Sequence, residues 1–232
     1  MSCKQAGDSA GSRLQVKICG ITTQEQAKRC VELGAHALGC VFHPPSPRNL
    51  ETDQAREICH VVGGKVPVIG VFVDRGYDYI MQKVEKCSLA GVQLHGSESP
   101  AVVRALRQEG LIVIKALFAK KKPGIDDASL YCDASALLVE CGRGALPGGN
   151  AMAWNWADAK PVAGAAPLIL AGGLAPDNVE GAVQSAMPDA VDVSSGVEFS
   201  PGKKDMAKVM SFMAAVEKAA KTYSKPFRRI FL

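Results

Sequence analysis

The chain has no apolar run near the roughly 20 residues that a membrane-spanning helix needs. Residues 1–13, which include Cys3, Lys4, Gln5 and Asp8, lack the apolar stretch of a secretory leader. The eight cysteines (3, 19, 30, 40, 59, 87, 132 and 141) include no Cys-x-x-Cys, and the four histidines (36, 43, 60 and 95) show no paired spacing with one another or with cysteine. A disulfide framework and a metal centre are both disfavoured. A formal net charge of +4 over 232 residues is too small to mark a nucleic-acid surface. Hydrophobic residues make up 47% and charged residues 22%, enough apolar surface to exclude general disorder. These absences describe a soluble globular protein with reduced thiols in the cytoplasm, with neither a membrane nor a nucleic acid as partner.

What is present is a repeat of short β-branched runs, each followed by an amphipathic helix. Strands are expected at Leu14–Cys19, Ala37–Phe42, Val66–Val73, Val92–His95, Leu111–Leu117, Ala136–Glu140, Pro167–Ala171 and Ala190–Val193. Helices are expected between them. Thr23 with Gln26 opens one as a capping box, Ser99 caps another with Pro100 in its first position, and Pro176 begins one that runs to Ala186. A weaker helix is expected over Ile125–Tyr131 and a short one from near Trp156, and Asp205–Ala220 forms the last. Eight strand–helix units without a linker favour an α/β fold, a single-domain (β/α)8 TIM barrel over residues 14–220. An open doubly wound sheet is the alternative, but no glycine fingerprint follows the first strand. Residues 1–13 read as a disordered extension, and the basic, apolar tail 221–232 as a segment docked on the barrel.

Side chains of a strand alternate between faces, so the polar residues can be sorted. Lys17 and Cys19, Gln93 and His95, Leu138 and Glu140, and Ala190 and Asp192 are expected to face the barrel interior. Cys19, His95, Glu140 and Asp192 then converge from four strands on the C-terminal mouth, where barrels of this kind carry their chemistry. Each also has a plainer reading: Asp192 as a loop cap, His95 as a satisfied rim histidine. Gly172-Gly173 follows strand seven and Ser194-Ser195-Gly196 follows strand eight. Loops in those two places commonly cradle a phosphate, because glycine lets backbone N–H groups approach an anion.

Several of these segments resemble phosphoribosylanthranilate isomerases: VKICGIT from Val16, FHPPSPR from Phe42, QLHG from Gln93, AGGL from Ala171, DVSSGVE from Asp192 and PGKKD from Pro201. The likeness keeps this order over roughly residues 14–220. It implies an Amadori rearrangement of a phosphorylated small molecule, with no cofactor and no metal, by a monomer or homodimer. It implies that Cys19 is the general base, that the acid at the end of strand six protonates the furanose ring oxygen, and that Arg48 holds the anthranilate carboxylate. Gln93, His95 and Asp192 would line the substrate, and Gly172, Gly173, Ser194, Ser195 and Gly196 would hold its phosphate. The family's acid is typically aspartate. Here that position is Glu140, eight residues before Gly148-Gly149, and residues 141–153 contain no other acid. Lys17, about 6.5–7 Å from Cys19 by strand rise, is expected to lower the thiol's pKa.

Overall fold

Strands buried on both faces and joined by helical crossovers pair in parallel, and here they do so in chain order until the eighth meets the first. In the computed structural model, which describes residues 13–142, 154–223 and 226–231, the barrel consists of β1 (Gln15–Cys19), β2 (Ala37–Val41), β3 (Val68–Phe72), β4 (Gly91–Leu94), β5 (Ile112–Phe118), β6 (Ala136–Glu140), β7 (Leu168–Leu170) and β8 (Ala190–Val193). Closure is made by β8 against β1, with Lys17 opposite Asp192. A small antiparallel hairpin, β9 (Glu198–Ser200) and β10 (Lys203–Lys204), follows the barrel.

The outer layer contains α1 (Gln24–Glu32), α2 (Thr52–Val62), α3 (Tyr77–Cys87), α4 (Pro100–Gln108), α5 (Val179–Ala186) and α6 (Met206–Ala220). The crossovers after β5 and β6 are 3-10 segments instead of α-helices, at Ile125–Tyr131 and Trp156–Gly164. The second carries Pro161, which has no N–H for a helical ladder. α5 begins at Val179, not at Pro176, because the Asn178 side chain accepts from Ala175 N–H and closes a turn there. Thr23 caps α1 by accepting from Gln26 N–H, but the Gln26 side chain binds Thr22 N–H and the Gly202 carbonyl, so the capping box is incomplete. Pro100 opens α4, while Ser99 makes no side-chain capping bond.

Outward strand residues such as Val16, Ile18, Val92, Leu94, Leu137, Val139, Val191 and Val193 pack beneath the helices. Inward residues Ile69, Ile114, Ala116, Leu138, Ile169 and Ala190 fill the waist of the barrel. The tail supplies the floor: Ile230 and Phe231 are buried in the same interior cluster. Gln15 fastens them, accepting from Ile230 N–H at 2.8 Å and donating to the Phe231 carbonyl at 2.9 Å. Arg228 pairs with the buried Asp189 at 2.6 Å. Arg13 is exposed, and the rest of the expected N-terminal extension lies outside the described residues, as does the Gly-rich loop at 143–153. Among the described residues no helix is long and apolar enough to cross a membrane.

Candidate active site

The inward-facing side chains at the C-terminal ends of the strands form a buried polar mouth above the apolar waist. Cys19 ends β1, and its thiol packs between Val41 and Val71. The facing residue on β2 is Gly39, and a Cβ there would stand 2.7 Å from the Cys19 sulfur, so the absence of a side chain is what makes room for the thiol. Lys17, fully buried one pleat below, gives its ammonium to Asp192 Oδ1 at 2.9 Å. Burial would lower its pKa, but the Asp192 carboxylate and the Cys19 sulfur together outweigh that and hold it above the ordinary lysine value.

Burial changes the expectation for Cys19. Burial pushes the thiol pKa up, and the opposing pull of Lys17 does not overcome it; Asp192 adds a further rise. Lys17 does pull the thiol's pKa down, as the spacing suggested, but burial outweighs that pull, so the thiol is harder to ionise than a free cysteine.

Across the mouth, Gln93 and His95 leave β4 on the inward face. The Gln93 amide nitrogen lies 2.8 Å from His95 Nδ1. His95 Nε2 stands 3.3 Å from Glu140 Oε1, near enough for attraction but out of line for a hydrogen bond. Gln93 Oε1 and His95 Nε2 are therefore buried without a hydrogen-bond partner. Such atoms cost stability and are uncommon. Phe118 packs its ring edge-on against His95, with centroids 5.6 Å apart.

Arg48 is buried on the loop after β2, and its side chain lies over Gly20, the residue after Cys19. Gly20 has φ +75°, and a side chain there would collide with Arg48 as well as strain the turn. The guanidinium is not idle: Nε and Nη2 donate to Glu198 at 2.8 and 2.6 Å. Burial alone would raise the Glu198 carboxyl, but Arg48 and Lys204 hold it below the usual range.

Gly172 and Gly173 both take positive φ. Gly172 packs against Glu140, and Gly196 lies against the Leu174 carbonyl, so the loops after β7 and β8 touch each other. Ser195 begins a short 3-10 turn, and the Ser194 carbonyl accepts from Lys204. Because β7 and β8 lie between β6 and β1, this loop pair separates the Glu140 carboxyl from the Cys19 thiol around the rim. Among the described residues, no three His, Cys, Asp or Glu side chains are grouped to hold a metal ion.

A family model described as N-(5'phosphoribosyl)anthranilate (PRA) isomerase matches residues 16–215. The chain belongs to that family. It is 50% identical over 200 residues to the N-(5'-phosphoribosyl)anthranilate isomerase of Desulfatibacillum aliphaticivorans, covering 86% of this chain and 91% of the relative. The crystal structure of the Thermotoga maritima phosphoribosyl anthranilate isomerase superposes with TM-score 0.81 at 35% identity, covering 88% of this chain and 99% of that one. A phosphoribosyl anthranilate isomerase solved with reduced 1-(o-carboxyphenylamino)-1-deoxyribulose 5-phosphate superposes with TM-score 0.78 at 35% identity and the same coverages. Membership makes the chain an isomerase on a closed eight-stranded barrel.

Within this isomerase, sequence reasoning named the mouth residues but missed what holds them. Glu198 and Lys204 were visible only as parts of matched motifs, with no sign that they clasp Arg48. The indoles of Trp154 and Trp156 donate to the Ala171 and Gly172 carbonyls at 3.2 and 3.3 Å and fix the loop after β7. Two tryptophans two positions apart ahead of β7 were the available signal.

Proposed function

We propose that the chain converts N-(5'-phosphoribosyl)anthranilate to 1-(2-carboxyphenylamino)-1-deoxyribulose 5-phosphate, with Glu140 as general acid and Cys19 as general base. The observation that carries this assignment is the order of groups around the rim. A carboxyl on β6 and a thiol on β1 flank the glycine and serine loops of β7 and β8. A phosphate seated on those loops, at Gly172, Gly173, Ser194, Ser195 and Gly196, lays the sugar across the mouth with the acid on one side and the base on the other.

Glu140 gives its proton to the furanose ring oxygen, and the C1'–O bond breaks as the nitrogen lone pair forms the iminium. The Cys19 thiolate then takes the C2' proton, and those electrons neutralise the iminium to an enolamine. Ketonisation moves a proton from the 2'-oxygen to C1'. Glu140 ends as carboxylate and Cys19 as thiol, so one proton must pass between them, through solvent or the mouth residues, before the next turnover. Arg48 meets the anthranilate carboxylate through the part of its guanidinium that Glu198 leaves, while Gln93, His95 and Asp192 line the sugar. The unpartnered Gln93 oxygen and His95 nitrogen are suited to substrate hydroxyls. A cytoplasmic enzyme that needs no cofactor belongs to the same proposal.

The test is a continuous assay of the loss of phosphoribosylanthranilate fluorescence. The wild-type protein should turn the substrate over, and Cys19→Ala should not do so at a comparable rate. Binding without turnover by the wild type would make the chain a phosphate-ligand binder.

A further inference from the structure

Arg48 has a carboxylate partner before any substrate arrives. Glu198 takes the Nε and Nη2 donors of the guanidinium, with both side chains buried. The same carboxylate takes the Lys204 ammonium at 2.7 Å. Lys204 also donates to the Ser194 carbonyl at 3.1 Å and lies 3.4 Å from the Ser194 hydroxyl. The backbone keeps these groups in step, since Lys204 pairs with Glu198 across the β9–β10 hairpin. Arg48 lies on Gly20, and a Cβ built at Gly20 would also come 3.0 Å from the Ser194 hydroxyl, so Arg48 and the β8 loop meet at the residue after Cys19.

We propose that Glu198 is a positioning residue that ties the two anion subsites together, orienting Arg48 for the substrate carboxylate and anchoring Lys204 against the phosphate loop at Ser194. This rests on the roles proposed above for Arg48 and Ser194. With its Nε edge taken, the guanidinium presents the remaining Nη donors in one fixed direction. Two cations around one carboxylate leave a net positive charge for a substrate that brings two anionic groups. A carboxylate that only blocked Arg48 in the empty protein would need no lysine to hold it and no link to the phosphate loop.

Two probes separate the subsites: anthranilate, which has the carboxylate and no phosphate, and inorganic phosphate, each measured as a competitive inhibitor beside steady-state kinetics. Glu198→Gln keeps the shape and removes the charge. It should raise KM and both inhibition constants by about tenfold, the loss expected from one charge-assisted hydrogen bond, with kcat changed far less. Arg48→Ala should weaken anthranilate alone. If Glu198 works through Arg48, the double variant should bind anthranilate no worse than Arg48→Ala. Lys204→Met keeps the Arg48 pair and should weaken phosphate more than anthranilate, which keeps the proposal testable if Glu198→Gln does not fold. Unchanged or tighter binding by Glu198→Gln, or additive losses in the double variant, would overturn the coupling. If Arg48→Ala itself leaves anthranilate inhibition untouched, the carboxylate subsite is misplaced, and that failure is distinct from failure of the coupling.

Discussion

The two ends of the barrel interior are built from the same eight strands, and each holds a buried glutamine. At the floor, Gln15 is fully engaged: its oxygen accepts from Ile230 N–H and its nitrogen donates to the Phe231 carbonyl. At the mouth, Gln93 uses its nitrogen on His95 and leaves its oxygen with no partner. An unpaired buried polar atom costs about 1–3 kcal/mol. The floor avoids that cost and the mouth bears it. Polar groups at the floor serve to close the barrel, whereas those at the mouth are left for something that arrives from solvent, in line with the division between the two faces of such barrels.

If that division is right, changes at the floor should alter stability and spare turnover, and changes at the mouth should do the opposite. Phe231→Ala empties the floor of a buried aromatic ring and should cost about 3–5 kcal/mol in urea unfolding. Its kcat and KM should stay near wild type wherever it remains folded, and a parallel loss of turnover would break the comparison. Cys19→Ala should lower kcat by at least about 10²-fold with KM and the urea midpoint little changed. Gln15→Leu leaves the tail's backbone groups unpaired and should cost about 1–3 kcal/mol of stability without changing kcat.

A smaller effect sharpens the mouth's chemistry. Because burial raises the Cys19 thiol, the thiolate is scarce at neutral pH and grows as pH rises, so the rate at which iodoacetamide alkylates Cys19, taken as the difference from Cys19→Ala, should climb into the alkaline range. Lys17→Met removes the charge that opposes this rise and should move the ascending limb to still higher pH. A pH–rate profile of each protein decides the sign. A limb that stays in place or moves toward lower pH would show that Lys17 does not lower the thiol's pKa.

The barrel was legible in sequence because its strands are short β-branched runs whose alternation sorts the faces. Cys19, Gln93, His95, Glu140 and Asp192 all face inward where that alternation placed them. Electrostatics was less legible. The spacing of Lys17 and Cys19 on one strand was visible, but the ion pair of Lys17 with Asp192 joins residues 175 positions apart. The clasp of Glu198 on Arg48 spans 150 positions and leaves no periodic trace. Local signals also lost to tertiary contacts: Gln26 left the capping box to bind the Gly202 carbonyl, and the segment containing Pro161 became a 3-10 crossover.

Glu140, one methylene longer than the family's usual aspartate, is the proposed acid of this mouth. The direct measurement is kcat for Glu140→Gln and Glu140→Asp beside wild type, with unfolding followed in parallel. Glu140→Gln keeps the shape and loses the proton, so kcat should fall by about 10²-fold or more while the unfolding midpoint holds. Glu140→Asp should retain measurable turnover, reduced by withdrawal of the carboxyl by about 1.5 Å. Near wild-type turnover by the Gln variant would rule out Glu140 as the acid and pass the role to another, with Asp192 the next to test.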